Sequence, residues 1–360
     1  MKHLFSLLVG CTLAANSLSA QTQVGIVGDK FTINGEYTFE GEHWRGMSIE
    51  GLLPNARVVN GVFDDLNPET RQTFVYPDTK LWSPDRNTDE FVEAMGDWRK
   101  AGMLAIAINL QGGNPFAYNN DKSQKWINSP YDEQGELRQA YLDRFMRIAE
   151  RAEELDMAII LGLFYFGQDE KLADEAAIIN ATKNIIGWIH ENEWRHILIE
   201  VNNECDIFYD HEILKPARVH ELINLVKELT PEGGQPLLVS TSFSGGNIPP
   251  QNVLDASDYV LIHGNGVPEP EGIIRQVAEV QVLLKGRIIP IVYNEDDHFD
   301  FDKPFNHFVA ATKMHASWGY FDYRMEGEGY EDGFQSIPTD WGINSDRKRA
   351  FFGLLREWGK

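Results

Sequence analysis

The sequence contains only two cysteines, Cys11 and Cys205, in 360 residues. At most one disulfide can join them, and Cys11 falls in an N-terminal segment that we predict to be removed. A disulfide framework is therefore excluded, and the stability of the fold has to come from an apolar core. Cys205 lies beside an acidic residue, so we predict a raised thiol pKa and a packing role rather than a nucleophilic one.

Positive charge is also scarce. Lys and Arg number 32 against 55 Asp and Glu, which gives a net charge of −23 at pH 7. Binding to nucleic acid depends on Lys and Arg neutralising phosphates, so a nucleic-acid partner is not expected. A neutral or cationic substrate suits this charge better.

Several sequence signatures are missing. After the N-terminal segment no apolar run is long enough to cross a membrane. No strand is followed by a Gly-x-Gly-x-x-Gly or Walker pattern, and no Gly-x-Ser-x-Gly elbow occurs. The sequence thus gives no indication of a dinucleotide site, a P-loop or an esterase, and we expect no cofactor.

The N-terminus has the layout of a secretory signal peptide. Lys2 and His3 precede the apolar stretch Leu4–Ala15, and small residues follow up to Ala20. We therefore predict a signal peptide over residues 1–20, a single mature domain over residues 21–360, and a secreted or periplasmic protein. The run that ends at Cys11 also fits a lipoprotein box, although the apolar segment before it is short for one.

The mature sequence alternates between short apolar runs rich in β-branched residues and amphipathic helical patterns. Buried parallel strands joined by helices are typical of α/β proteins, and eight units favour a (β/α)₈ TIM barrel. Asn34-Gly35 predicts an N-terminal β-hairpin that covers the bottom of the barrel. Long segments after strands one, two and eight predict loops that shape a cleft on the catalytic face. The predicted strands lie near Trp44–Glu50, Leu104–Leu110, Ala158–Phe164, Ile197–Asn202, Leu237–Thr241, Tyr259–His263, Ile288–Tyr293 and Ala316–Phe321.

Two of these strands end in the same dipeptide. Glu204 follows Asn203 after predicted strand four, and Glu295 follows Asn294 after predicted strand seven. Their spacing fits three βα units of roughly 30 residues each. Because ligands bind at the carboxyl ends of parallel strands, we predict that the two glutamates meet across the barrel mouth.

Two facing carboxyl groups suit glycoside hydrolysis. One carboxylic acid protonates the leaving oxygen, and the other attacks the anomeric carbon or activates water. In a retaining enzyme the two groups lie about 5–5.5 Å apart, and burial with mutual repulsion should raise the pKa of one of them. The sequence therefore predicts a glycosidase with a carbohydrate substrate.

On these residues the chain resembles glycoside hydrolase clan A, the retaining (β/α)₈ hydrolases that include the family-5 cellulases. The resemblance implies that Glu204 is the general acid/base, that Glu295 is the nucleophile and that Asn203 contacts the sugar 2-hydroxyl. It further implies that His263 after strand six supports the nucleophile and that Trp318 at strand eight stacks on a sugar.

The chain departs from the family-5 pattern at two points. Cys205 follows the acid/base glutamate where that family has proline, and no arginine occurs near the end of strand two, where Asn109 stands. By their positions at strand ends, the further candidates for substrate contact are Asn109, Tyr165, Arg45 and Glu50.

Two alternatives remain open from the sequence. Glu204, Asp206, Glu295 and His298 could hold a divalent cation, as in a metal-dependent sugar isomerase or epimerase barrel. The other alternative is a carbohydrate-binding barrel without activity. The glycosidase hypothesis involves no metal, and the sequence indicates no particular oligomeric state.

Overall fold

A computed structural model describes residues 21–116 and 124–358. The predicted signal peptide and Cys11 lie outside the described residues. Among the described residues, no helix is both long and apolar enough to span a membrane.

Within the described ranges, eight parallel strands form the centre of the barrel, and they follow one another along the chain. They are β6 (Asn55–Arg57), β7 (Ala105–Asn109), β8 (Ala158–Tyr165), β9 (Ile197–Asn203), β10 (Leu238–Ser240), β11 (Val260–His263), β12 (Ile291–Glu295) and β13 (Gly319–Tyr320).

Hydrogen bonding joins these strands in barrel order. One sheet has the order β10-β9-β8-β7-β6-β13, and β11 pairs with β12. Parallel bridges at Val292–Ser317 and Asp296–Tyr320 connect β12 with the strand that contains β13. On the remaining side, the backbone N–H of Asp258 donates to the carbonyl of Val239 at 2.9 Å, which links the segments of β10 and β11. The fold is the predicted (β/α)₈ barrel.

Helices lie between the strands and cover the outside of the barrel. They are α1 (Pro84–Lys100), α2 (Gln139–Glu154), α3 (Glu175–Glu191), α4 (Val219–Glu228), α5 (Gln251–Ala256), α6 (Pro270–Leu283), α7 (His307–Lys313) and α8 (Asp346–Trp358). In α2 the buried residues Tyr141, Phe145, Ile148 and Ala152 recur at steps of three or four and form the apolar face that packs on the sheet. Side-chain caps begin several helices, as where Asp174 accepts from the N–H of Ala177 at 2.9 Å.

The N-terminal hairpin closes the bottom of the barrel, as predicted. Three antiparallel strands, β1 (Val24–Val27), β2 (Lys30–Ile33) and β3 (Glu36–Tyr37), form a small sheet whose turn is Asn34-Gly35. Phe31 is fully buried and makes an edge contact with Tyr259 in a core cluster that contains the lower interior residues of the barrel strands. This apolar plug restricts ligand access to the opposite end of the barrel.

The prediction for strand one was wrong. Its residues form a short antiparallel pair, β4 (His43–Trp44) and β5 (Met47–Ser48), outside the barrel. The first barrel strand is β6, which is three residues long and contains Asn55 and Arg57, so it lacks the apolar run by which buried strands are predicted.

The three long loops meet over the carboxyl ends of the strands, as predicted. The loop after β6 contacts the loop after β7, where the N–H of Leu66 donates to the carbonyl of Ile127 at 2.8 Å. The loop after β13 contacts both of the others, through Asn60 to the carbonyl of Gln335 at 2.6 Å and through the N–H of Ile337 to the carbonyl of Pro115 at 2.7 Å. These loops therefore form one wall at the carboxyl ends of the strands.

Candidate active site

Glu204 lies immediately after β9 with its backbone in the left-handed region, at φ 49°. A glutamate rarely adopts this conformation, which has to be held by the surroundings. Its N–H donates to Ser242 Oγ at 2.9 Å, and the next N–H, of Cys205, donates to the Ser242 carbonyl at 3.0 Å. Ser242 thus fixes the turn that directs the Glu204 side chain, which is 8% exposed, toward the barrel axis.

Glu295 is the last residue of β12 and is 6% exposed. Arg57 Nε lies 2.7 Å from Glu295 Oε2, a close ion contact in which the N–H does not point along the line to the oxygen. Asn265 Nδ2 donates to Glu295 Oε1 at 2.9 Å. Each oxygen of the carboxylate therefore has a partner that favours negative charge.

His263 lies between the two carboxylates. Its Nδ1 is 3.0 Å from Glu204 Oε1 and 3.5 Å from Glu295 Oε2, and the ring is fully buried. One ring nitrogen of His263 and one carboxylate oxygen from each glutamate all lie within 4.8 Å of one another. The paired Asn-Glu strand ends therefore converge on one small site, and His263 contacts Glu204 more closely than it contacts Glu295.

Arg57 also organises the asparagine before Glu204. Its Nη2 donates to Asn203 Oδ1 at 2.9 Å, and Tyr209 OH donates to the carbonyl of Asn203. The sequence prediction missed Arg57 because its strand was misplaced. A signal was present, since Arg57 is the one charged residue of segment 52–63, which is mostly apolar, and arginine is rarely buried without a partner.

The buried surroundings shift the protonation of the site. Burial raises the pKa of Glu204 to about 7, with Asp206 adding to the rise and Arg57 opposing it. Burial likewise raises the pKa of Glu295 to about 7, against the opposing effects of Arg57 and His263. The pKa of His263 is lowered, mainly by burial.

The contacts decide which glutamate keeps the proton. Glu295 touches the Arg57 guanidinium directly, whereas the nearest partner of Glu204 is the His263 ring, which burial keeps neutral. With one proton shared between two close carboxylates, the negative charge is more stable on Glu295 and the proton on Glu204.

Asn109 and Tyr165 lie at the ends of β7 and β8, as predicted. Asn109 pairs in register with Gly162, and neither atom of its buried amide has a hydrogen-bond partner among the described residues. The buried Tyr165 pairs in register with Asn203, the residue before Glu204, and burial raises its pKa. Both residues therefore lie on the interior or rim side of the barrel.

The prediction that Trp318 stacks on a sugar was wrong. The indole is 1% exposed, and its Nε1 donates to Asp296 Oδ2 at 2.8 Å. Its ring packs against Phe301, Phe308 and Phe351. The side chain points outward from the barrel to α7 and α8, so no face of the indole is available to a ligand.

Arg45 and Glu50 also lie elsewhere. Arg45 covers the ring of Trp44 and contacts Glu357 in α8 at 3.3 Å. Glu50 pairs with Lys30 of the bottom hairpin at 2.5 Å. Both were predicted at the site because strand one was misplaced, and their true position precedes β6, at the amino ends of the strands.

The predicted metal-binding set of Glu204, Asp206, Glu295 and His298 is not assembled. Asp206 instead accepts hydrogen bonds from the backbone and hydroxyl of Ser244, at 2.8 and 2.7 Å. His298 contacts Asp296 at 2.6 Å. The cluster of Glu204, His263 and Glu295 suits a cation poorly because the guanidinium of Arg57 already neutralises Glu295.

A second histidine and carboxylate cluster follows Glu295. His298 and His307 stack at 3.7 Å between ring centroids, and each directs Nδ1 at a different oxygen of Asp296, at 2.6 and 2.9 Å. Those short contacts leave no space for an ion between the nitrogens and the carboxylate. Cys205, directly after Glu204, is buried, and burial raises the pKa of its thiol well above the usual value, in the predicted direction.

No protein-family model matches the sequence, and no curated protein matches it either. Solved structures do match. The fold is similar to that of a family-5 glycoside hydrolase from Bacteroides vulgatus ATCC 8482, at 14% identity and TM-score 0.57, over 94% of this chain and 71% of that one.

Two further family-5 structures match in the same way. One is a GH5-4 broad-specificity endoglucanase from Bacteroides salanitronis, with 12% identity and TM-score 0.55 over 86% of this chain and 93% of that one. The other is a family-5 mannosidase from Rhizomucor miehei, with 11% identity and TM-score 0.53 over 94% of this chain and 97% of that one. The chain spans 60% of the length of another Bacteroides vulgatus structure that it matches. The chain has the fold of the family-5 glycoside hydrolases. The sequence resemblance to clan A is thereby confirmed at the level of fold.

Proposed function

We propose that the protein is a retaining glycoside hydrolase in which Glu295 is the nucleophile and Glu204 the general acid/base. The observation that carries the proposal is the placement of two buried carboxylates with oxygens within 4.8 Å of each other, only one of which contacts a guanidinium. This separation suits a retaining enzyme, because inverting enzymes hold the carboxyl groups about 6.5–9.5 Å apart to admit a water.

In the first step the ionised Glu295 attacks the anomeric carbon and forms a glycosyl ester. The protonated Glu204 gives its proton to the departing glycosidic oxygen. In the second step Glu204, now a carboxylate, removes a proton from water, which attacks the anomeric carbon and releases Glu295. The contact between Arg57 and Glu295 keeps the nucleophile ionised at the start of each cycle.

Asn203 would contact the sugar. Because Arg57 donates to its Oδ1, the Nδ2 group is left to donate to a hydroxyl, which agrees with the 2-hydroxyl contact that the clan resemblance implies. The fixed amide would give that hydrogen bond a constant direction, and hydrogen bonds at this position strengthen in the transition state.

The substrate class that we propose is a neutral poly- or oligosaccharide. The overall charge of −23 would repel an acidic glycan, and the three long loops form one continuous wall over the carboxyl ends of the strands, which suits an extended ligand. The names of the structural neighbours, an endoglucanase and a mannosidase, make soluble β-glucans and mannans the first substrates to test.

Azide rescue tests the assignment directly. Glu295→Ala should lose hydrolysis of an activated aryl glycoside by several orders of magnitude, and azide should restore turnover with an azido sugar of inverted anomeric configuration. Wild-type protein that cleaves the same glycoside provides the reference. A Glu295→Ala variant with undiminished hydrolysis would refute the assignment, and an inactive wild-type protein would refute the proposed function.

A further inference from the structure

One aromatic side chain stands out by its exposure. Among the Phe, Tyr and Trp residues of the described chain, Phe208 alone is mostly exposed, at 60% of its surface. It lies in the loop that follows β9, next to the exposed Ile207. The remaining aromatic residues are buried or half-buried, so this loop leaves an apolar surface in contact with solvent.

Phe208 is the outer end of a row of contacting rings. It meets Phe166 edge to face, with centroids 5.2 Å apart and an interplanar angle of 66°. Phe166 in turn stacks on Tyr165, at 4.2 Å and 26°. We call Tyr165, Phe166 and Phe208 the aromatic row.

The inner end of the aromatic row is at the candidate active site. Tyr165 ends β8 and pairs in register with Asn203, the residue directly before Glu204. Gly112, at φ +76°, packs against Tyr165 so closely that a Cβ there would lie 2.1 Å from the tyrosine side chain, so only glycine fits. At the outer end Phe208 follows Glu204 by four residues, which limits their Cα separation to about 14 Å.

The outer part of the row is held in place by polar contacts. Asp169, which follows β8, accepts the backbone N–H groups of Asp210 and His211 at 2.8 and 3.2 Å. His211 Nε2 contacts the carbonyls of Asp169 and Leu172 at 3.2 and 3.1 Å. The loop that carries Phe208 is therefore fastened, two residues beyond the ring, to the loop that carries Phe166.

We propose that Phe166 and Phe208 form a stacking surface for a sugar unit beyond the cleavage site, on a neutral glycan chain. This proposal rests on the proposed function. The apolar C–H face of a pyranose packs well on an aromatic ring, and the row leads continuously from the paired glutamates to solvent. With Trp318 buried, the exposed ring of Phe208 offers a ligand the apolar aromatic face that the indole does not, and Phe166 supports it from the side.

The charges around the row select among glycans. The exposed Glu170 and Asp210 and the half-buried Asp206 lie in the same two loops, whereas Lys171 is paired with Glu170 at 2.9 Å. A uronic-acid polymer would be repelled here. The surface therefore fits a chain of uncharged sugars such as a β-glucan or mannan.

The test compares Phe208→Ala with Val282→Ala, a truncation of a 75% exposed side chain on α6, outside the catalytic face. Hydroxyethylcellulose and soluble mannan serve as polymers, and nitrophenyl β-glucoside and β-mannoside serve as short substrates. Phe208→Ala should raise KM for the cleaved polymer about 3- to 10-fold, the loss expected for one aromatic contact, with kcat/KM for the short glycosides unchanged. Phe208→Trp should retain the polymer KM, and Val282→Ala should match wild type throughout.

The outcomes separate this proposal from the proposed function. If wild type cleaves a polymer and Phe208→Ala leaves KM unchanged, the stacking surface is refuted while the hydrolase assignment stands. If wild type cleaves none of the substrates, binding is measured instead, as the electrophoretic mobility of the protein in native gels that contain the same polymers. Retardation that Phe208→Ala weakens would support the surface without hydrolysis, and wild-type protein without retardation would refute it.

Discussion

The two Asn-Glu strand ends share a dipeptide but differ in their surroundings. At β9, Glu204 leaves the strand in a left-handed conformation held by Ser242, and its carboxyl contacts a neutral histidine. At β12, Glu295 remains within the strand and contacts Arg57 and Asn265. In the proposed mechanism the same residue type therefore serves as proton donor at one strand end and as anion at the other, because other strands supply the partners.

The preceding asparagines show the same division. Asn203 is tied to a cation, through the bond from Arg57 to its Oδ1 at 2.9 Å. Asn294 is tied to an anion, through its Nδ2 donating to Glu200 Oε2 at 3.2 Å inside the barrel. The asparagine before Glu204 is thus bonded to the buried cation Arg57, and the asparagine before Glu295 is bonded to the buried anion Glu200. Separate substitutions can remove these two charges.

The largest expected effect separates the roles of the two glutamates. Glu295→Ala should lose several orders of magnitude on every glycoside, because no intermediate can form. Glu204→Ala should lose about 10²- to 10⁴-fold on substrates that need protonation of the leaving group, and much less in the first step with a dinitrophenyl leaving group. Pre-steady-state kinetics with a nitrophenyl and a dinitrophenyl glycoside would check this. Equal losses for both variants in the first step would contradict the assignment of roles.

Removal of the buried cation should have the next largest effect. Arg57→Met takes away the charge that opposes protonation of Glu295, so the pKa of Glu295 rises and the acidic limb of the pH dependence of kcat/KM moves to higher pH. Loss of one partner from a buried ion pair should also destabilise the fold by about 3–5 kcal/mol. Arg57→Lys, which keeps the charge, is the matched control for the pH profile. An acidic limb that stays in place in Arg57→Met would contradict the role of Arg57.

Stability should depend on pH through the same pair. The folded-state pKa values of Glu204 and Glu295 are raised to about 7, above those of an unfolded chain, so the folded state binds more protons. The contribution of each group to stability is therefore greatest below pH 4.5 and is lost as the pH rises toward and through 7. Glutamine cannot ionise, so Glu204→Gln should be more stable than wild type at pH 8, by on the order of 1–3 kcal/mol in the free energy of unfolding. Urea unfolding of both proteins at pH 5 and pH 8 measures this difference. If the variant's gain in stability over wild type is no larger at pH 8 than at pH 5, the raised pKa of Glu204 is contradicted.

The smallest expected effect concerns Glu200. Its charge contributes to the raised pKa of Glu295, so Glu200→Gln should move the acidic limb to lower pH, opposite to Arg57→Met. The glutamine can still accept the hydrogen bond from Asn294, and we expect less than about tenfold loss of kcat because a neutral hydrogen bond replaces a charged one. Asn294→Ala is the companion variant, which keeps the charge of Glu200 and removes its donor. Shifts of the same sign in Glu200→Gln and Arg57→Met would contradict this account.

The sequence was sufficient to predict most of the barrel. Strands such as β8 and β9 are long and rich in Ile and Leu, so their burial on both faces is visible in the residues themselves. The convergence of Glu204 and Glu295 was predictable because the carboxyl ends of parallel strands share one edge.

What the sequence did not reveal depends on partners from distant segments. β6 is three residues long and polar inside, so its pattern indicates no strand, and the contact of Arg57 with Glu295 joins positions far apart in the chain. Trp318 was assigned to the cleft from the resemblance to clan A, but strand pleating alternates side chains between the two faces, and its indole points outward. A shift of one residue in a short strand is enough to reverse that direction.

Trapping the covalent intermediate tests the central claim most directly. Wild-type protein would be incubated with 2-deoxy-2-fluoro glucosides and mannosides that carry a dinitrophenyl leaving group, digested and sequenced by tandem mass spectrometry. The account predicts one fluoroglycosyl adduct on Glu295 in wild type and none in Glu295→Gln. An adduct on another residue, or first-formed products of inverted anomeric configuration with no adduct during active turnover, would contradict it.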